Sequence, residues 1–238
     1  MEVLFLGTGP VGGIKGKGRS KRLESSVLID GILVDVTNHF KKQIKGINNL
    51  KAILITHAHK DAIGGMNQLR EWQRKVCVDR IRLYSLKETI KKIKERFKEA
   101  NNLEFINLKP YKSFKIDNLK IIPFKVKHSI QKGFPTLGFY FSDLKLVYAS
   151  DVDELNKDLE KYSKKSKILI IDGAMWGKKL IAHLDIKEVL PRVCKWKVNK
   201  IIFTQIGKTA PKYEILRKEI KKIYSKALPA YDGMKLKL

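Results

Sequence analysis

A mixed α/β fold, with two packed sheets and helices outside them, is what this sequence predicts. Three observations carry the prediction. Short apolar, β-branched runs alternate with amphipathic ones along the chain. The first half is richer in hairpins, whereas the second half brings strand–helix units. No internal repeat, low-complexity tract or Pro/Ser-rich linker divides the 238 residues, so residues 1–238 are expected to form one domain.

In chain order, strands are expected over Val3–Leu6, Ser26–Ile29, Leu33–Val36, Ala52–Ile55, Ile81–Tyr84, Leu119–Phe124, Leu137–Phe141, Leu146–Ala149, Ile168–Ile171 and Lys200–Thr204. Each run is short and bounded by Gly, Asn, Asp or Lys. Helices are expected over Gly64–Trp72, Leu86–Ala100, Asp153–Tyr162, Ile186–Trp196 and Pro211–Tyr224. Pro211 would occupy a first-turn position, where its missing N–H costs nothing. Asp185 would cap the helix that follows it.

Charge is the unusual compositional feature. Fifty Lys and Arg face twenty-four Asp and Glu, a formal net charge of +26. Such an excess concentrates anions near the protein and disfavours neutral or cationic substrates. The basic residues run along the whole chain, as in a solvated Lys-rich surface, and do not gather into a tail. No uninterrupted apolar run reaches membrane-spanning length, and the start MEVLFLGTGP lacks the layout of a secretory signal. Cys77 and Cys194 form no C-x-x-C pair and are expected to be buried free thiols. Together these features point to a cytoplasmic protein with no membrane partner.

The strongest chemical signal is Thr56-His57-Ala58-His59-Lys60-Asp61, directly after the apolar run Ala52–Ile55. Histidines at i and i+2 on a strand end point to the same side. Imidazole is the commonest metal ligand among side chains. Asp61 follows, and Gly64-Gly65 permit a tight turn over the sheet edge. Three further features are secondary. His39, in the loop Thr37-Asn38-His39, is read as a loop or capping residue before a metal ligand. The glycine-rich stretch from Gly7 to Arg19 lacks P-loop spacing and is either a phosphate-contacting loop or a plain one. Lys87 to Lys98, with Ile90, Ile93 and Phe97 on one stripe, reads as a surface helix with a solvated basic face.

Six segments resemble, in order, the motifs of metallo-β-lactamase-fold hydrolases. They are Val3-Leu4-Phe5-Leu6-Gly7-Thr8-Gly9, the H-x-H-x-D segment Thr56 to Asp61, Val126-Lys127-His128-Ser129, Tyr148-Ala149-Ser150-Asp151, Ala182-His183-Leu184-Asp185 and Pro229-Ala230-Tyr231-Asp232-Gly233-Met234. The subgroup most resembled is the cyclic phosphodiesterases of phosphonate breakdown, with ribonuclease Z more distant. The resemblance implies an αββα sandwich with the active site at one edge, between the sheets. It also implies a first metal site of His57, His59, His128 and Asp151. Of the second site, Asp61 is present, but Ala62 and Gln205 stand where the family has histidines. One transition metal ion is therefore expected, zinc ahead of iron or manganese. No structural zinc is expected in the glycine-rich region, where relatives carry cysteines. Asp61 would orient or deprotonate the attacking water, and His183 would protonate the leaving group. A phosphate-bearing small molecule or a nucleic acid is the implied partner, and hydrolysis of a phosphodiester the implied reaction. A mononuclear iron oxygenase of the same fold and a non-catalytic nucleic-acid-binding module are the alternatives.

Overall fold

The structure is a computed structural model, and it describes residues 1–98, 102–128, 134–178 and 182–238. Its strands are β1 (Glu2–Gly7), β2 (Ser26–Ile29), β3 (Ile32–Val34), β4 (Ala52–Leu54), β5 (Ile81–Ser85), β6 (Leu103–Asn107), β7 (Phe114–Ile116), β8 (Leu119–Val126), β9 (Thr136–Phe141), β10 (Leu146–Ala149), β11 (Ile168–Asp172), β12 (Lys200–Thr204), β13 (Ala227–Pro229) and β14 (Lys235–Lys237). The helices are α1 (Phe40–Gln43), α2 (Lys60–Ile63), α3 (Met66–Lys75), α4 (Lys87–Arg96), α5 (Lys157–Ser163), α6 (Ile186–Val193) and α7 (Tyr213–Ile223).

Two seven-stranded sheets result, ordered β14-β1-β2-β3-β4-β5-β6 and β13-β12-β11-β10-β9-β8-β7. The first is antiparallel from β14 to β3 and parallel from β3 to β6. The second is antiparallel from β7 to β10 and parallel from β10 to β13. Apolar residues fall into three layers, because strands covered on both faces must be apolar on both. On β1, Val3 and Phe5 join the layer between the sheets with Phe139, Tyr148, Ile170 and Ile202. Leu6 of the same strand joins the outer layer under α3 and α4, with Leu69 and Ile93. Ile201 and Phe203 of β12 pack outward beneath α6 and α7, with Leu190 and Leu216. The αββα sandwich expected from the sequence is what the chain forms.

Several element bounds differ from expectation. The helix expected from Gly64 begins at Met66 and runs on to Lys75, and the two glycines separate it from the short α2 before them. A Cβ on Gly64 would lie 2.2 Å from Asn38 Oδ1, and one on Gly65 would lie 2.1 Å from the Thr37 carbonyl. Only glycine allows that approach. The helix expected from Asp153 begins at Lys157, where the Asn156 side chain accepts from Leu159 N. That expected from Pro211 begins at Tyr213, whose N–H donates to Ser20 Oγ at 3.0 Å. Leu33–Val36 ends early, since Asp35 takes φ +65°. The end of the expected helix Leu86–Ala100 reaches residues 99 and 100, outside the described residues, and Phe97 has already left the helix. Strands β6, β7, β13 and β14 were not expected. Both cysteines are free, but Cys77 is exposed and Cys194 half-buried. No helix among the described residues is long and apolar enough to cross a membrane.

Candidate metal centre

Strand direction gathers the chemistry at one end of the sandwich. In the parallel parts of both sheets, the loops that leave the carboxyl ends of neighbouring strands meet over a crevice. β4 runs into His57 and His59, β10 into Asp151, β11 ends on Asp172, and β12 leads to Gln205. β8 runs the same way as β10, two antiparallel steps away, so His128 arrives at that end too. A hydrogen bond from Leu137 N to the Thr56 carbonyl joins the two sheets there.

His57 is 1 % exposed, and its environment sets its tautomer. The Thr56 hydroxyl donates to Asp35, 2.9 Å from Oδ2, and Thr56 N–H also donates to that carboxylate. With its proton committed, Thr56 Oγ1 accepts from His57 Nδ1–H at 2.7 Å. The lone pair therefore lies on His57 Nε2, a buried atom with no hydrogen-bond partner. An orphaned buried acceptor costs free energy unless something fills its valence. His128 repeats the pattern, its Nδ1–H donating to the Ala182 carbonyl at 2.9 Å and freeing Nε2. That Nε2 is 3.2 Å from His59 Nδ1 and 3.9 Å from Asp151 Oδ1. Two nitrogens on one tetrahedral ion at ~2.0–2.1 Å would sit about 3.3 Å apart, so the spacing suits a shared cation. His57, His59 and His128 each bring a nitrogen within 4.8 Å of the others, and His128, Asp151 and His183 form an overlapping set. Burial holds His57 down to about 3, and burial with the neighbouring His128 holds His59 down to about 4. Both rings are thus neutral donors at physiological pH. Burial alone would raise Asp151, but His57, His128 and His183 around it bring it down to about 2. The donor set fits a divalent cation.

The positions that the resemblance assigns to a second metal site are arranged differently. Gln205, in a left-handed conformation at φ +59°, points its amide nitrogen between two carboxylates. It donates to Asp151 Oδ1 at 2.7 Å and to Asp61 Oδ2 at 3.3 Å. Ala62 is 2 % exposed and belongs to the outer apolar layer under the first sheet. Burial and the nearby Asp151 lift Asp61 to about 7, and its Oδ1 is 4.0 Å from His57 Nε2.

His183 comes to this centre through a residue that sequence reasoning missed. Its Nδ1–H donates to Asp172 Oδ2 at 2.6 Å, and the Asp172 carboxylate is fully buried and also receives Ala174 N–H. Burial would lower His183, but the carboxylates of Asp172, Asp151 and Asp61, with Asp172 foremost, together outweigh it and raise the imidazole to about 9. A protonated imidazole with a free Nε2–H can donate a proton. Asp172 ends an apolar strand as Asp151 follows another, which is the one signal the sequence offered. Asp35, which orients His57 through Thr56, was also missed. So was Phe134, whose ring stacks on His59 at 4.1 Å between centroids. His39 lies apart from the cluster, its Nδ1 accepting from Glu24 N–H at 3.4 Å, a loop role as expected. Ser129 of the His128 motif is outside the described residues.

A family model described as "Beta-lactamase superfamily domain" matches residues 27–206. A crystal structure titled as a new diphosphatase from the PhnP family is similar over 100 % of this chain and 97 % of that one, with TM-score 0.87 and 24 % identity. Zn(2+)-bound PqqB from Methylobacterium extorquens is similar over 100 % of both chains, with TM-score 0.83 and 18 % identity. Among curated proteins, an octanoyltransferase of Porphyromonas gingivalis is 23 % identical over 90 % of this chain. The chain spans about half that relative's length, 47 %.

Proposed function

The chain belongs to the β-lactamase superfamily, and from that premise we propose that it is a metal-dependent hydrolase of phosphodiesters or other phosphate-bearing substrates, working through one transition metal ion. The observation that carries the reading is the pairing of the two sites. One offers the orphaned His57 Nε2 beside His59, His128 and Asp151. The other has its two carboxylates already joined by the Gln205 amide. His57, His59, His128 and Asp151 would hold the ion, with zinc favoured by three imidazoles and one carboxylate. When bound, the ion would supply Lewis acidity toward a phosphoryl oxygen and toward water.

The chain's own residues do the rest. Asp61, held by Gln205 and raised toward neutrality, orients the attacking water and takes its proton. His183, charged through Asp172, gives a proton to the departing oxygen. The net charge of +26 favours an anionic substrate over a neutral one. The deciding experiment is elemental analysis of protein purified without added metal, paired with turnover of a chromogenic phosphodiester. One zinc per chain with metal-dependent turnover is expected. Stoichiometric iron without turnover would favour an oxygenase, and two tightly held ions would refute the single-ion reading.

A further inference from the structure

A second feature lies at the same end of the sandwich. β1 runs parallel to β3 and β4, so the segment after it emerges beside the metal centre, as does the segment after β12. These two segments line a half-open cavity of about 450 Å³. Its cations are Lys15, Lys17, Lys208 and Lys212, with Arg22 in the wall. Its apolar surface comes from the half-buried Ile14, Ala210 and Pro211, with the buried Ile206 behind them. Among the described residues no carboxylate lines it, and none of the four lysines makes an ion pair. Elsewhere on this surface lysines do pair with acids, as Lys51 does with Asp30 and Lys127 with Glu154.

Arg22 differs from the lysines. It is 3 % exposed, and its NH1 donates to Thr8 Oγ1 and to the Ala230 carbonyl, both at 2.7 Å. Asp232, which accepts from Thr8 Oγ1 and Leu23 N, sits nearby as its counter-charge. Arg22 is thus a fixed strut that shapes the wall, while the lysines remain free for a ligand. The floor is tied to the catalytic centre by the chain itself. Ile206 follows Gln205 directly, and its N–H donates to the Thr8 carbonyl at 2.8 Å.

We propose that this cavity is a binding site for an organic phosphate, its anionic end held by Lys15, Lys17, Lys208 and Lys212 and its organic part against Ile14, Ala210 and Pro211. The volume suits a ligand of that size. A cluster of unpaired cations over an apolar floor selects a ligand with both characters. That the occupant is the distal part of the substrate rests on the phosphodiesterase reading.

The test uses the full chain and phenylphosphonate, an aromatic anion with no diester bond to cleave, measured by titration calorimetry against inorganic phosphate. The wild type should bind one phenylphosphonate more tightly than phosphate, and Lys17→Ala/Lys212→Ala should weaken it about tenfold, as expected for two exposed charge contacts. The His57→Ala variant should still bind it. Binding lost with His57→Ala but kept in the lysine double variant would place the anion at the metal centre and overturn the proposal, as would no binding at all. Kinetics separates the two readings. If diesterase turnover exists, the double lysine variant should raise KM about tenfold and leave kcat alone. Unchanged KM overturns the cavity's substrate role while hydrolysis stands. Phenylphosphonate binding without any turnover does the reverse.

Discussion

Replacing Gln205 with Met tests whether its amide holds the two carboxylates together. The side chains have similar length and volume, so little cavity or strain is added. What disappears is one nitrogen that donates to Asp151 at 2.7 Å and to Asp61 at 3.3 Å, together with an Oε1 that is buried without a partner. Hydrogen bonds to charged groups contribute roughly 1.5–3 kcal/mol each. The longer contact to Asp61 argues for the lower end, about 3 kcal/mol for the pair, and removal of the unpaired Oε1 returns about 1 kcal/mol, leaving a net loss of about 2 kcal/mol. For a chain of this size that corresponds to a fall in Tm of about 4–8 °C. The assay is scanning calorimetry of chelator-treated wild type and Gln205→Met. Added zinc or manganese should then restore much of the loss, because the bared Asp61 and Asp151 oxygens become donors for a second cation. Metal content should rise from one ion per chain toward two. A melt within about 2 °C of wild type, with metal content unchanged, would show that the amide does not serve as the bridge.

Three other outcomes are expected. His59→Ala should lose the metal yet keep its far-ultraviolet dichroism, since His59 is half-buried at the sheet edge and outside the apolar layers; full metal occupancy would remove it from the ligand set. Thr56→Val keeps the shape but deletes the hydroxyl between Asp35 and His57, so chelator competition should report metal affinity weaker by about 10–100-fold. His183→Ala should leave the metal count unchanged and slow an alkyl diester, with its poor leaving group, by about 10²–10⁴-fold, while an aryl diester falls far less; loss of the metal would instead make His183 a ligand.

The sequence exposes what depends on neighbours along the chain. His57 and His59 are legible because their spacing and the preceding apolar strand sit within a few residues. The apolar strands on both sides of the central layer are legible because burial on two faces demands near-continuous hydrophobicity. What stays hidden depends on tertiary partners. Asp172 gains its role from His183, eleven residues on, and from the Val152 N–H, twenty residues back, which only the fold delivers. The start of α7 is set by Ser20, 193 residues away, so Pro211 misleads. Edge strand β14 buries only Leu236 of its three residues, too little pattern to distinguish it from a loop.

The departures at positions 62 and 205 make physical sense as one unit. Asp61 and Asp151 face each other in a buried crevice, and two carboxylates so placed repel unless something positive or hydrogen-donating lies between them. A second metal ion is one solution; an amide is another. Among side chains, few would serve beside a dication held by the proposed ligands. Lysine or arginine would add a charge that the ion repels, and histidine offers a single N–H on that side. Glutamine presents two N–H groups from one nitrogen, carries no charge, and reaches where asparagine would fall short. Its Oε1 is left buried without a partner, a cost that marks the nitrogen's contacts as the dominant ones. Once the amide bridges the carboxylates, an imidazole at position 62 has no ion to bind. The position sits in the apolar layer with Val36, Phe40 and Met66. Alanine there completes that packing, whereas a histidine without a metal would bury an unpaired polar ring at a cost of about 1–3 kcal/mol. Alanine at 62 and glutamine at 205 are thus mutually consistent: with the amide between the carboxylates, neither position calls for an imidazole.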